Sequence, residues 1–220
     1  MSMDMIQQIL ASYCGLILML TFHEVGHAWM AWKCGDDTAR NAGRVSLNPL
    51  VHLDLVGTVI IPLLTLGLAY NHSAAAGFLI GWAKPVPVNV DNLRSPRRDD
   101  ILISMAGPAM NLVLAFLLAA VARLFFSVGM GLEHLGPYCL KVALTSLVLC
   151  YFNLIPIPPL DGSHVLRVLI GMSRETYARL ANVGFVVVIL VMQIPVVRDL
   201  LIRVTGDTYK AILKWFHLFG

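Results

Sequence analysis

Apolar residues in this chain come in a few long runs separated by short polar stretches, and the run lengths are those of helices that cross a bilayer. Residues 5–32, 101–126, 135–155 and 177–197 each reach the ~20 predominantly apolar residues that a span requires at about 1.5 Å per residue. A fifth stretch is ambiguous. Residues 56–70 are short for a crossing and are followed by Asn71, His72 and Ser73 and then by a brief apolar piece, 74–82, a pattern that reads as a hairpin dipping into the membrane. Residues 208–219 carry Lys210 and Lys214 among Ile212, Leu213, Trp215 and Phe216, which predicts an amphipathic interfacial helix. There is no long repeat and no low-complexity tract. The predicted fold is an all-α polytopic membrane protein in which residues 1–220 form one integral-membrane domain. It is a bundle of about five to six transmembrane helices with a re-entrant hairpin and short extended segments.

Composition agrees with that reading. The chain is 58% hydrophobic and 13% charged with a mean hydropathy of +0.76, far from an ordinary soluble domain. The net charge of +3 is scattered through the polar stretches, which argues for membrane orientation and against nucleic-acid binding. Cys14, Cys34, Cys139 and Cys150 lie in or beside apolar runs without CxxC spacing and read as small hydrophobes. No basic residue precedes the first run, so a cleaved secretory signal is not expected.

Charge placement sets an expected topology. Lys33, Arg40 and Arg44 follow the first run; Lys84, Arg94, Arg97 and Arg98 precede the second long one; Arg167, Arg174 and Arg179 follow the third. All three groups favour the cytoplasm, whereas the connection 129–137 has Glu133 and no Lys or Arg and belongs outside. The pattern requires that residues 56–82 make no net crossing. The first and third long runs then both travel inward and finish on the cytoplasmic side.

The chemistry sits at those two inward ends. His23-Glu24-Val25-Gly26-His27 lies inside the first run. Residues i and i+4 share a helix face, so both imidazoles can reach one Zn²⁺ while Glu24 stands beside the metal's open side to take a proton from water. The plainer alternative is a pair of core histidines hydrogen-bonded inside a bundle, but two His and a Glu at membrane depth are costly and mark function. A zinc site needs a third protein ligand, and the third long run ends at Asn153-Leu-Ile-Pro156-Ile-Pro158-Pro159-Leu160-Asp161-Gly162. The prolines unwind the helix there and present Asp161 to the face that carries the histidines. The alternative for this tract is an ordinary helix stop with a capping Asp161-Gly162 turn. His52, Asp54, His72 and His164 are rival metal candidates, His164 foremost because it lies one turn past Asp161. Asn153, which precedes the unwound tract, is a candidate donor to a developing oxyanion; Asn111 reads as a residue that supports the site or packs helices. Gly15, Gly26 and Gly107 read as close helix-packing positions.

Three motifs in order, His23-Glu-Val-Gly-His27, Gly107-Pro-Ala-Met-Asn111 and Asn153-Leu-Ile-Pro-Ile-Pro-Pro-Leu-Asp161-Gly162, resemble the site-2 proteases, intramembrane zinc metalloproteases. Arg44-Val-Ser-Leu-Asn-Pro-Leu-Val-His52 and Gly81-Trp-Ala-Lys-Pro-Val-Pro-Val-Asn89 are similar to the compact bacterial branch of that family, and no PDZ-like or CBS-like module is found. The resemblance implies one Zn²⁺ per chain on His23, His27 and Asp161, with Glu24 as general base. It also implies membrane-protein substrates in a lipid bilayer, and a bacterial inner-membrane location with the active site near the cytoplasmic side. The segments 41–52 and 84–90 could hold an extended substrate by β-addition, or be plain loops. Two other classes stay open on the residues: a metal-ion transporter, which needs further acidic or His ligands in the later runs, and a non-catalytic zinc scaffold, which needs a closed fourth ligand.

Overall fold

The structure is a computed structural model and describes residues 3–62, 82–129 and 131–218. Its helices are α1 (Met3–Lys33), α2 (Thr38–Asn41), α3 (Pro96–Val128), α4 (Gly136–Asn153), α5 (Gly162–Leu169), α6 (Arg174–Met192) and α7 (Pro195–Trp215). Short 3-10 turns occur at Pro49–Val51, Val90–Asn92 and Glu133–Leu135, and Leu55–Ile60 is π-helical. No strand occurs among the described residues, as an all-α fold requires. Among these residues, α3 and α6 are long and apolar enough to cross a membrane. The hairpin expected over 56–82 falls mostly on residues 63–81, which lie outside the described residues.

Proline places several boundaries. Pro96 starts α3 ahead of its apolar run, where a missing N–H costs nothing, and Pro195 does the same for α7. Pro195 also moves the end of the fourth predicted span: Ile194 before it takes an extended conformation (φ −75°, ψ 117°), so the run 177–197 covers most of α6 and only its last residues pass into α7. The amphipathic ending is therefore the last part of a longer helix. Its Ile212 and Leu213 are buried and its Lys210 and Lys214 exposed.

α3 is the central element and touches α1, α4, α5 and α7. Its Ala115, Ala119 and Ala122, all fully buried, recur at i, i+4 and i+7 and so form one narrow stripe. Against it pack Leu140, Ala143 and Leu147 of α4 and Ile212 and Leu213 of α7. The small side chains let the helices approach closely. On the other side of α3, Leu114 joins Leu16, Met19 and Leu20 of α1. The α1–α3 crossing is tighter still, because a Cβ on Gly26 would press on the Ala106 backbone.

The outward surface is apolar. In α6 only Gly184 and Val188 are buried, while Val183, Phe185, Val186, Ile189 and Leu190 are exposed; α3 likewise exposes Val113, Phe116, Leu117 and Leu124. A contiguous exposed face of this kind is unfavourable in water and matches a hydrocarbon environment.

A buried carboxylate ties down the loop after α1. Asp36, with no exposed surface, accepts from Thr38 N, Asn89 N (2.7 Å) and Asn92 Nδ2 (3.0 Å). Burial opposes its charge, but these hydrogen bonds outweigh burial and hold the carboxyl below its ordinary range. Further bonds join Lys84 N to His52 O, Trp82 N to Gly57 O and Arg94 N to Cys34 O. Residues 82–93 therefore lie along α1. Ala83 packs near Leu16, Met19 and Leu20, and Leu93 packs near Ala31 and Cys34.

Candidate active site and metal-binding group

His23 and His27 sit one turn apart on α1 and are both buried. Their rings meet edge to face, with centroids 4.6 Å apart, and their Nε2 atoms are 3.0 Å apart. Asp161 completes the group: Oδ2 lies 3.1 Å from His23 Nε2 and Oδ1 lies 3.5 Å from His27 Nε2. Among the described residues this His-His-Asp trio is the group of donors placed to hold a metal.

Asp161 reaches this position because α4 stops where the prolines begin. The helix ends at Asn153, the tract 154–161 runs through turns, and Asp161 stands at the N-cap of α5. A capping Asp would bond the helix N–H groups, but this side chain makes no such bond and is turned to the histidines instead.

α3 supports the trio from one side. His27 Nδ1–H donates to Ile103 O (2.7 Å), which fixes the ring and leaves Nε2 with its lone pair towards Asp161. The carboxamide of fully buried Asn111 lies 3.2 Å from His23 Nδ1, and its Oδ1 is buried without a partner. With the amide oxygen facing the ring, Oδ1 accepts from Nδ1–H and frees His23 Nε2 in the same way. Ser146 Oγ of α4 donates to the Asn111 carbonyl (2.9 Å) and anchors this turn. Between Ile103 and Asn111, Gly107 leaves room for both rings: a Cβ there would strike the His27 ring and come within 2.8 Å of His23 Cε1. Gly26 packs helices as its sequence suggests, whereas Gly107 makes the space that the imidazoles fill.

These features fit a tetrahedral cation. Metal–ligand distances near 2.1 Å imply ligand–ligand edges of about 3.4 Å, close to the three separations observed. Asp161 Oδ2 is buried without a hydrogen-bond partner. Lone pairs converging on one point at these distances repel unless a cation lies between them.

Glu24 follows His23 on α1 and is buried. The other candidates from the sequence have partners of their own. Asn153 donates one Nδ2 hydrogen back to Leu149 O (3.0 Å) in its own helix. His164 faces Asp100 Oδ1 (3.2 Å). His52 donates from Nε2 to Ser46 O (2.8 Å), and burial, with the charge of Arg44, pushes its pKa down. Asp54 caps the π-helical turn by accepting from Val56 N and Gly57 N. His72 lies outside the described residues. Sequence reasoning missed the Ile103 carbonyl, Asp100 and Arg167; only the charged start of an otherwise apolar helix hints at Asp100.

A family model described as peptidase family M50 matches residues 11–138 and 135–194. The chain is 36% identical over 210 residues to a Bacillus subtilis (strain 168) protein named "Putative zinc metalloprotease YwhC", covering 91% of this chain and 88% of that one. Two proteins named "Putative zinc metalloprotease Rip2" also match. That of Mycolicibacterium smegmatis is 34% identical over 82% of this chain and 66% of its own, and that of Mycobacterium tuberculosis (H37Rv) is 38% identical over 67% and 52%. No solved structure matches this chain. With the family model spanning most of its length, this chain belongs to peptidase family M50, the site-2 protease family, and is a metalloprotease whose relatives carry zinc in their names.

Proposed function

We propose that the chain is an intramembrane zinc metalloprotease that hydrolyses peptide bonds in or near the transmembrane segments of membrane proteins. It binds one Zn²⁺ on His23, His27 and Asp161. The observation that carries the reading is the trio itself: three donor atoms within 4.8 Å of one another, two of them on a long, largely apolar helix. Zinc, when bound, supplies a Lewis acid that polarises the scissile carbonyl and lowers the pKa of water towards neutrality. Glu24 takes the proton from the attacking water and passes it to the leaving amine. Ile103 O and Asn111 hold the imidazoles in the tautomer that points Nε2 inward. Asp161 keeps 19% of its side chain exposed, so the trio is not sealed off on that side.

The charge pattern supports a polytopic bundle in the bacterial inner membrane with the trio towards the cytoplasm. The substrate must present an unwound stretch, since helical carbonyls are already bonded. Residues 82–93 pass the level of the histidines as they run along α1, and Val86, between Pro85 and Pro87, and Val88, after the second of these, make no backbone hydrogen bond among the described residues. This segment is the edge along which an extended substrate lies.

The experiment compares membranes containing wild type and Glu24→Gln. Single-span proteins that accumulate uncut in the variant, identified by mass spectrometry, are the substrates. Cleavage should fall by at least ~10²-fold with zinc content unchanged. Full proteolysis by purified Glu24→Gln protein would sink the assignment.

A further inference from the structure

The reading of Asp161 as a ligand leaves open what sets its direction. The preceding tract is packed, with Leu160 buried and Gly184 of α6 against the Pro158 backbone, but its backbone hydrogen bonds are short-range turns such as Leu160 N to Ile157 O (2.9 Å). The helix it begins, α5, has eight residues, too few to be stable alone. Its apolar packing is thin, with Gly162 and Ser163 buried while Leu166 and Leu169 are exposed.

Polar bonds attach α5 instead. Arg167 donates from its guanidinium to Asp100 Oδ2 (2.7 Å), and His164 Nδ1 meets Asp100 Oδ1 (3.2 Å). Asp100 and Arg167 are each only 12% exposed in their side chains. Tyr177 of α6 closes the cluster, with Arg167 over its ring, His164 against it and its hydroxyl 2.9 Å from Ser163 Oγ. Asp100 stands one turn before Ile103, whose carbonyl holds His27. A single turn of α3 therefore grips both sides of the trio, His27 through a backbone oxygen and the Asp161 helix through a carboxylate.

Resting on the assignment of Asp161 as a ligand, we propose that Asp100 with Arg167 and His164 forms a positioning clamp that sets Asp161 against the imidazoles and so tunes metal affinity. A buried ion pair contributes little net stability relative to apolar replacements, but its geometry is directional, which is what a placed ligand requires. The clamp should be visible in affinity more than in stability.

The test uses the full chain in detergent, with zinc affinity read by chelator competition and folding by thermal unfolding of the metal-free protein. Asp100→Leu/Arg167→Met, which removes both charges together, should weaken zinc binding ~10–100-fold while remaining folded. Introduced into Asp161→Ala, the same pair should leave the residual two-histidine affinity unchanged, because the clamp acts only through Asp161; a merely structural effect would add to the loss. Unchanged affinity in the folded double variant overturns the clamp. Should that variant not fold, Arg167→Lys, which keeps the charge and loses the planar fork, decides instead: reduced affinity supports the clamp and wild-type affinity overturns it. Asp161→Ala alone separates the two claims, since wild-type affinity there would refute the ligand assignment itself.

Discussion

Two stretches of one stripe on α3 do different work. Asp100, Ile103, Gly107 and Asn111 follow helical spacing, and Ala115, Ala119 and Ala122 continue it along the same face. The first stretch meets α1 and α5 with a carboxylate, a carbonyl, a gap and an amide, each directed at a particular partner atom. The second meets α4 and α7 with methyl groups alone. Helix packing needs only small, complementary surfaces, and many apolar sequences supply them. A metal site needs directed polar atoms at fixed places, so substitutions in the first stretch should change chemistry and those in the second should change stability.

The sharpest separation comes from the residue that the first stretch serves. Asp161→Ala should lose its zinc during purification, read by elemental analysis, because two imidazoles alone hold the ion too weakly. Retained zinc would remove the purpose of the polar stretch. Asn111→Leu comes next: removal of the group that orients His23 should lower zinc affinity ~10–100-fold, measured by chelator competition, with smaller effects on unfolding. Ala119→Leu should show the reverse. Overpacking the methyl stripe should cost about 1–3 kcal/mol in unfolding stability and leave zinc affinity intact. If Ala119→Leu releases the metal as readily as Asn111→Leu, the two stretches are not separate. The mildest test labels single cysteines. Gly131, beyond the alanine end of α3, should react from outside only, and Asn92 and Ser173, near its polar end, from the cytoplasm only. Asn92 labelled from outside would invert the direction assigned to the stripe.

The sequence made some of this legible for physical reasons. His23, Glu24 and His27 stand out because polar residues inside an apolar run are costly, and their spacing alone puts two imidazoles on one face. Asp161 follows from counting crossings and from prolines that stop α4 where it is needed. Asn153 has one amide hydrogen on Leu149 O and a second that this bond does not use, so the sequence could mark it as a donor but not say where it donates. Asp100 and Arg167 stayed hidden because Arg97-Arg98-Asp99-Asp100 reads as a solvated helix start, and only the packed structure shows the last of these largely covered and paired with a guanidinium. The Ile103 carbonyl is a backbone atom that no residue pattern advertises. Gly107 was read as packing because a motif cannot say which neighbour fills the space beside a missing side chain.

The trio joins α1 to a residue that follows α4. During synthesis, a chain that has made α1 carries both imidazoles and Glu24 but lacks the carboxylate, and the proline tract that presents it has not yet been made. The ribosome must pass residue 161 before the third donor exists, and α5 and α6 must follow before it is fastened. Under the proposed ligand assignment a partly synthesised chain lacks its full donor set, and metal loading is a late event that waits for residue 161.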